Sequence, residues 1–364
     1  KENEVFTFNE GWGNDVPGTW KDEHYRLEIV FMDTLIAVIP LETGFENEEG
    51  DIEIGNVPQA YLALNEAPVS PNESLEAQIA KMDELVGLEE LKDEIKNHVK
   101  YLNFLKLRQA KGFSDAENIS LHSVFTGNPG TGKTTVARIL AQIYKALGIL
   151  ERGHLIECDR QSLVGGYVGQ TAIKTAEIIE RAMGGVLFID EAYSLTEGGQ
   201  SDFGKEAIEI ILKRMEDRRG DFIVIAAGYT DNMKRFIESN PGLKSRFDRT
   251  FHFEDFNVSE LVEIATNQIA ENNLKPDEAA KMELDRVMEL MYNSRDKYFG
   301  NGRAVRKLVE EIIRHQHLRM SELSADKRTL EVISSLTVED LQEINLKEII
   351  QKTKNIGIGF KQNS

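Results

Sequence analysis

Gly127-Asn-Pro-Gly-Thr-Gly132-Lys133-Thr134 is a complete G-x-x-x-x-G-K-[ST] string, and few architectures can carry one. It needs a strand running into it and a helix running out. Both are present, as the apolar Ser123–Thr126 and the helix-forming Thr135–Leu147. Glycines at these places let consecutive backbone N–H groups turn inward, and the positive end of the following helix adds to their pull on phosphate oxygens. The cradle comprises Gly127, Asn128, Pro129, Gly130, Thr131, Gly132, Lys133, Thr134 and Thr135. Lys133 is placed to reach terminal phosphates and the Thr134 hydroxyl to ligate Mg²⁺. A glycine-rich turn that merely joins strand to helix would not need the full motif.

A phosphate cradle alone is compatible with a kinase or a GTPase, and a second motif decides between them. Gly185-Val-Leu-Phe-Ile189 reads as a buried strand ending in Asp190-Glu191, about fifty residues downstream. An acid at a neighbouring strand end can hold Mg²⁺ opposite Thr134, so Thr134 and Asp190 are the expected metal ligands. A second acid directly after it, Glu191, can act as general base on a water. That pairing suits hydrolysis of ATP better than transfer to a bound hydroxyl.

Around these motifs the chain alternates. Short apolar segments at Ser123–Thr126, His154–Cys158, Val186–Ile189 and Phe222–Ala227 are separated by stretches of helix-crossover length, which predicts a parallel, three-layer α/β sheet. After Val258 the pattern is helical only: Leu261–Glu271, Pro276–Met291, Arg303–Leu323 and Val338–Lys352 predict a four-helix cap. Near the start of the chain Tyr25, Leu27, Ile29 and Phe31 alternate as in a strand, so residues 1–75 are expected to be a small β-rich segment with a linker at Pro68–Asn72 and a helix start at Ser74. The expected divisions are therefore 1–75, 76–258 and 259–364.

The net charge of −19 is uneven, with seventeen Asp/Glu against three Lys/Arg in residues 1–80. Such a surface disfavours nucleic acid, which needs clustered Lys and Arg. The acidic segment reads either as a solubilising surface or as a dock for a basic partner. No run of eighteen apolar residues exists, so no membrane insertion is expected. The single cysteine, Cys158, argues for a reducing, cytoplasmic setting and excludes a cysteine zinc site. It is expected to be a small buried residue at a strand end. His122, His315 and His317 show no metal-ligand spacing.

Taken together, Asp83-Glu-Leu-Val-Gly-Leu-Glu, the string from Leu121 to Thr135, Leu163-Val-Gly-Gly-Tyr-Val-Gly-Gln-Thr, Asp202-Phe-Gly-Lys-Glu-Ala, Ala227-Gly-Tyr-Thr-Asp, Asn240-Pro-Gly-Leu-Lys-Ser-Arg-Phe and Gly300-Asn-Gly-Arg resemble the CbxX/CfqX branch of the AAA+ ATPases. That branch includes red-type Rubisco activases, stage V sporulation protein K-like ATPases and type VII secretion ATPases. The resemblance runs from about Leu85 to Leu341 and leaves residues 1–75 unplaced. It implies an AAA+ P-loop domain followed by an all-α helical lid, assembled as a homo-hexameric ring with ATP between subunits. It implies that Arg246 is an arginine finger, the other reading of Arg246 or Arg249 being a surface ion pair. It implies that Arg303 contacts the nucleotide from within its own chain, with Arg306 able to share that role or simply to pack. Tyr229 stands where many AAA+ proteins carry Asn or Thr, which leaves Thr230 and Asp231 as candidates for positioning the attacking water. Tyr167, between Gly165-Gly166 and Gly169, would be a pore-loop aromatic, or else a ring packed on its own domain. Residues 198–204 would form a second pore-facing loop, and Asp202-Phe203-Gly204 is not a kinase metal motif because no catalytic loop accompanies it.

The expected function is an ATP-hydrolysing protein-remodelling motor acting on a protein client. The alternative is a nucleotide-gated scaffold that recruits partners through its N-terminal segment.

Overall fold

A computed structural model describes residues 24–31, 34–42, 74–112, 120–167, 169–197, 203–296, 298–342 and 344. The chain falls into two compact units, Lys1–Ser70 and Pro71–Ser364. In the first, β1 (His24–Phe31) and β2 (Thr34–Glu42) form an antiparallel pair from His24↔Glu42 to Phe31↔Thr34, with one irregularity between Ile29 and Val30. The β-rich reading of this segment holds there. The linker expected at Pro68–Asn72 lies outside the described residues.

The second unit opens on α1 (Leu75–Asp83), which Ser74 caps by accepting the Ala77 N–H at 3.1 Å. A turn at Gly87-Leu88 leads to α2 (Glu89–Ala110). Then strands and helices alternate: β3 (Ser123–Gly127), α3 (Lys133–Ala146), β4 (Leu155–Cys158), α4 (Arg160–Leu163), α5 (Gln170–Ala182), β5 (Val186–Ile189), a 3₁₀ turn (Ala192–Thr196), α6 (Gly204–Asp217), β6 (Ile223–Gly228), α7 (Thr230–Glu238), α8 (Pro241–Arg246) and β7 (Arg249–Phe253). The sheet order is β4-β5-β6-β3-β7 and every pair is parallel. Four strands match the sequence reading to within a residue. The fifth, β7, was not expected; its alternation places Phe251 and Phe253 inward.

Alternate residues of the central strands feed two cores. Leu187, Ile189, Val224 and Ala226 pack against α5, α6 and α7 on one face. Val186, Phe188, Ile223, Ile225 and Ala227 pack with α1, α2 and α3 on the other. Both faces being covered explains why these strands read as continuous apolar runs.

The lid has its own core. It consists of α9 (Val258–Glu271), β8 (Lys275–Pro276), α10 (Glu278–Asn293), α11 (Asn301–Glu322), α12 (Leu330–Ile333), β9 (Ser335–Leu336) and α13 (Glu339–Gln342). Two helices start where a side chain caps them rather than where the apolar pattern begins. Asn257 and Glu260 form a reciprocal capping box for α9, and Asp277 accepts the Ala280 N–H for α10. Pro276 therefore precedes α10 and pairs, in β8, with Leu336. Of the helix expected at Val338–Lys352, Glu339–Gln342 is helical and most of the remainder lies outside the described residues. Leu88, in a left-handed conformation with φ of 62°, packs against both the α1–α3 core and the lid core.

Candidate active site

The C-terminal ends of β5, β6 and β3 lie side by side, and the segments leaving them open into one cavity of about 340 Å³. This is the crevice in which parallel sheets hold their ligands. From β3 come Gly127, Pro129, Gly130, Gly132, Lys133, Thr134 and Thr135; from β5, Asp190 and Glu191; from β6, Gly228 and Tyr229. The lid closes the other side with Ile264 and Gln268 of α9 and Gly302, Arg303 and Arg306 of α11.

The phosphate loop is shaped by close approach. A Cβ on Gly130 would sit 2.2 Å from the Gly300 carbonyl oxygen, and one on Gly127 2.2 Å from that of Phe253. Gly132 caps α3 in a left-handed conformation, with no side chain capping the helix and no acid in its first turn. The first N–H groups of α3 are thus without a side-chain acceptor, as an anion site requires. Thr131 is buried and its hydroxyl donates to the Asn128 carbonyl at 2.8 Å, fixing the loop from within.

Lys133 lies at the floor. Its ammonium donates to the carbonyls of Gly127 at 3.0 Å and Asn128 at 2.7 Å. Burial pushes its pKa down to about 8, against the opposing pull of Asp190, with Arg303 adding to the depression. A buried ammonium held only by carbonyls beside open helix N–H groups fits a polyanion.

Asp190 is anchored through its backbone N–H to the Cys158 carbonyl at 2.9 Å, and its side chain accepts the Glu191 N–H at 3.1 Å. Glu191 adopts φ of 48°, an uncommon conformation for a side-chain-bearing residue and one that marks functional positions. Burial and then the Asp190 charge raise its pKa, while Arg303 and a hydrogen bond from Tyr193 pull the other way. Tyr193, Tyr229 and Tyr298 form a run of rings beside it, with centroids 6.2 and 5.8 Å apart. Tyr229 lines the cavity; Thr230 and Asp231, at the exposed start of α7, do not. Thr134 and Asp190 both face the cavity, and among the described residues no group of three His, Cys, Asp or Glu converges elsewhere on a metal site.

Arg303 and Arg306, one turn apart on α11, both reach the cavity, and neither has a carboxylate within ion-pair distance among the described residues. Arg246 is not part of its wall. Its Nη2 pairs with Glu216 at 3.0 Å, and its Nε is buried with no hydrogen-bond partner among the described residues. Tyr167 is 75% exposed, on the loop between α4 and α5. Of the stretch 198–204 only Phe203 and Gly204 are described, and Gly204 begins α6. Cys158 is buried and free, its thiol pushed up to about 12 by burial. His122 accepts the Val224 N–H at 2.9 Å and stays neutral, its pKa lowered to about 4 by burial and by Arg246.

Several residues at the site were not visible in the sequence reading. Asp255 and Asn301 bond to the phosphate loop from behind it, and Phe256, Ile264 and Gln268 form a more apolar wall. Asn301 lies inside the Gly300-Asn-Gly-Arg string, so a signal existed for it; the others carry none at the level of a single sequence.

A phosphate loop, a strand ending in two acids and a helical lid bearing arginines over the same crevice define a nucleotide-hydrolysing P-loop protein. Residues 123–255 match the ATPase family associated with various cellular activities (AAA), and residues 257–351 match the AAA lid domain. The chain belongs to the AAA ATPases, in the branch of stage V sporulation protein K and the CbxX proteins. It is 41% identical over 291 residues to stage V sporulation protein K of Bacillus subtilis, covering 80% of this chain and 88% of that one. It is 45% identical over 269 residues to the plasmid-encoded CbxX of Cupriavidus necator, covering 72% and 83%. It is 41% identical over 265 residues to the chloroplastic ribulose bisphosphate carboxylase/oxygenase activase of Cyanidioschyzon merolae, covering 72% and 89%. The protein is thus a nucleotide-binding ATPase, and no helix among its described residues is long and apolar enough to cross a membrane.

Proposed function

We propose that this ATPase is a protein-remodelling motor working as a homo-hexameric ring in the cytoplasm, with ATP bound between neighbouring subunits and a protein, not a nucleic acid, as client. The observation that carries this reading is Tyr167, an aromatic ring 75% exposed on a loop flanked by Gly165, Gly166 and Gly169. A ring left in water at the tip of such a loop forfeits the burial that usually stabilises an aromatic, which favours a role in gripping another chain. The net charge of −19 supports a protein client over a phosphate backbone, and a relative named as an activase of another enzyme supports the same choice.

In this reading residues 127–135 hold the phosphates, with Lys133 trading its two carbonyl partners for phosphate oxygens. Thr134 and Asp190 would hold Mg²⁺, which when bound supplies charge neutralisation on the phosphates. Glu191 accepts a proton from water as that water attacks the γ-phosphorus, and the bond to the bridging oxygen breaks to leave ADP and phosphate. A carboxyl raised above its ordinary value by burial is better matched to this task than an exposed one. Arg303 steadies the phosphates from its own chain. Arg246 reaches a neighbour's γ-phosphate; its pairing with Glu216, on a surface 26% and 54% exposed, is weak enough to be exchanged on assembly. Movement of the lid against the sheet then transmits turnover to Tyr167.

The test is ATP hydrolysis by the wild type and Glu191→Gln, with both sized on a column with and without ATP. The motor reading expects turnover in the wild type, and in the variant retained ATP binding, a rate lower by about 100-fold or more, and a shift to a ring-sized species. Absence of turnover in both, with assembly on nucleotide alone, would instead favour the recruiting scaffold.

A further inference from the structure

Behind the phosphate loop lies a polar junction that none of the expected catalytic residues explains. Asp255 follows β7 at the hinge into the lid, and both its carboxylate oxygens accept from the Asn128 side chain at 3.0 Å. Asn301, the first residue of α11, donates to the same carboxylate at 2.7 Å and to the Pro129 and Phe299 carbonyls at 3.4 and 3.2 Å. Its side-chain oxygen accepts the Phe256 N–H at 3.0 Å. This pattern leaves no freedom in the amide's orientation: three oxygens face its nitrogen and one N–H faces its oxygen. Asn301 is fully buried and sits at φ of 42°, a conformation Asn and Asp tolerate better than most residues.

The contacts form one unbroken path. Lid residue Asn301 holds Asp255, Asp255 holds the Asn128 side chain, and the Asn128 carbonyl receives both the Thr131 hydroxyl and the Lys133 ammonium. A parallel bond runs from the Gly302 N–H to the Gly130 carbonyl at 3.1 Å. A half-buried carboxylate that accepts three N–H···O contacts is committed to its partners. Moving any one of them strands charge or a donor.

We propose that Asp255, Asn301 and Asn128 form a clasp that ties the conformation of the phosphate loop to the seating of the lid, so that ATP affinity depends on Asp255 and Asn301, which lie outside the phosphate cradle. The proposal rests on residues 127–135 being the ATP site. Asp255 and Asn301 are positioning residues. They hold the loop in a binding-competent shape only while α11 is docked, and they loosen the loop when the lid swings away. Coupling of this kind needs a physically contiguous network with a movable element at one end, and both are present.

The experiment is a swap. Asp255→Asn and Asn301→Asp are made singly and together, and each is assayed for folding by circular dichroism, for kcat and KM, and for the dissociation constant of a fluorescent ATP analogue. Asn301→Asp sets two carboxylates face to face, and Asp255→Asn removes the charge that both amides address. In the double variant an amide at 255 can again donate to a carboxylate at 301 and accept from Asn128. The expected result is a rise of about tenfold in KM and in the analogue's dissociation constant for each folded single variant, a smaller change in kcat, and recovery of most of the loss in the double. A purely structural role would lower the melting temperature and leave KM of the folded fraction unchanged, and that outcome overturns the proposal. So does a double variant whose loss equals the product of the singles. If a single variant does not fold, Asn128→Ala severs the same path at its phosphate-loop end. It is expected to show the same rise in KM, and a wild-type KM there overturns the clasp. A wild type that neither binds the analogue nor hydrolyses ATP would instead refute the site reading itself.

Discussion

Gly130→Ala isolates the contact between phosphate loop and lid. Two costs follow from the structure. Gly130 has φ of +75°, where a Cβ costs about 1–2 kcal/mol. Its Cβ would also lie 2.2 Å from the Gly300 carbonyl oxygen and 2.7 Å from the Arg303 nitrogen, both backbone atoms that no rotamer change can move aside. Relief requires the start of α11 to retreat by about 1 Å, and overpacking of that kind costs about 1–3 kcal/mol. The expected destabilisation is about 2–5 kcal/mol. Gly220→Ala is the control, since it shares a positive φ of +90° but has nothing within 4 Å, so only the conformational cost of about 1–2 kcal/mol remains. Urea unfolding without nucleotide, followed by circular dichroism, measures both. If Gly130→Ala loses no more stability than Gly220→Ala, the lid does not press on the loop in solution and the account of this contact is wrong.

Two further predictions concern protons. Lys133, lowered to about 8 by burial, is partly neutral near pH 8, and the charge of bound phosphates raises its pKa; ATP binding at that pH should take up a fraction of a proton, read as a dependence of calorimetric enthalpy on the buffer's ionisation enthalpy and absent in Lys133→Met. His122 and His98 are both held to about 4 by burial, below the unfolded value near 6.5. The unfolded chain therefore binds more protons between these values. Stability should be full above about pH 6.5 and fall as the pH drops toward 4, by up to about 3 kcal/mol per histidine. His122→Asn should shallow that slope in urea melts taken across the range.

The legible part of the site was the part whose residues are neighbours in the chain. Gly127 to Thr135 and Asp190-Glu191 are each a single turn at a strand end, so spacing alone showed both the residue types and the local geometry. Asp255 was silent because its role comes from amides 127 residues earlier and 46 later, joined to it only by the fold. Helix starts slipped for a related reason. Asn257 and Asp277 set where α9 and α10 begin through side-chain caps, whereas the apolar spacing tells only which face is buried. Strand β7 is five residues long at the sheet edge, with Thr250 and His252 outward, and so lacks the unbroken apolar run of the central strands. Arg246 was legible as a residue, but its pairing with Glu216 joins α8 to α6 and depends on how those helices pack.

Leu88 shares its side chain between two cores, one belonging to the sheet and one to the lid, and the adjacent Gly87 lies so close to the capping Glu260 of α9 that a Cβ would come within 2.5 Å of its carboxylate. The Gly87-Leu88 turn is therefore a wedge in the hinge rather than a passive connector. A lid that rotates must draw Leu88 out of one core or drag it from the other, exposing part of a leucine either way. This gives the hinge a restoring force that grows with angle. The lid is thus sprung at the turn that joins α1 to α2, well before the chain reaches the lid itself.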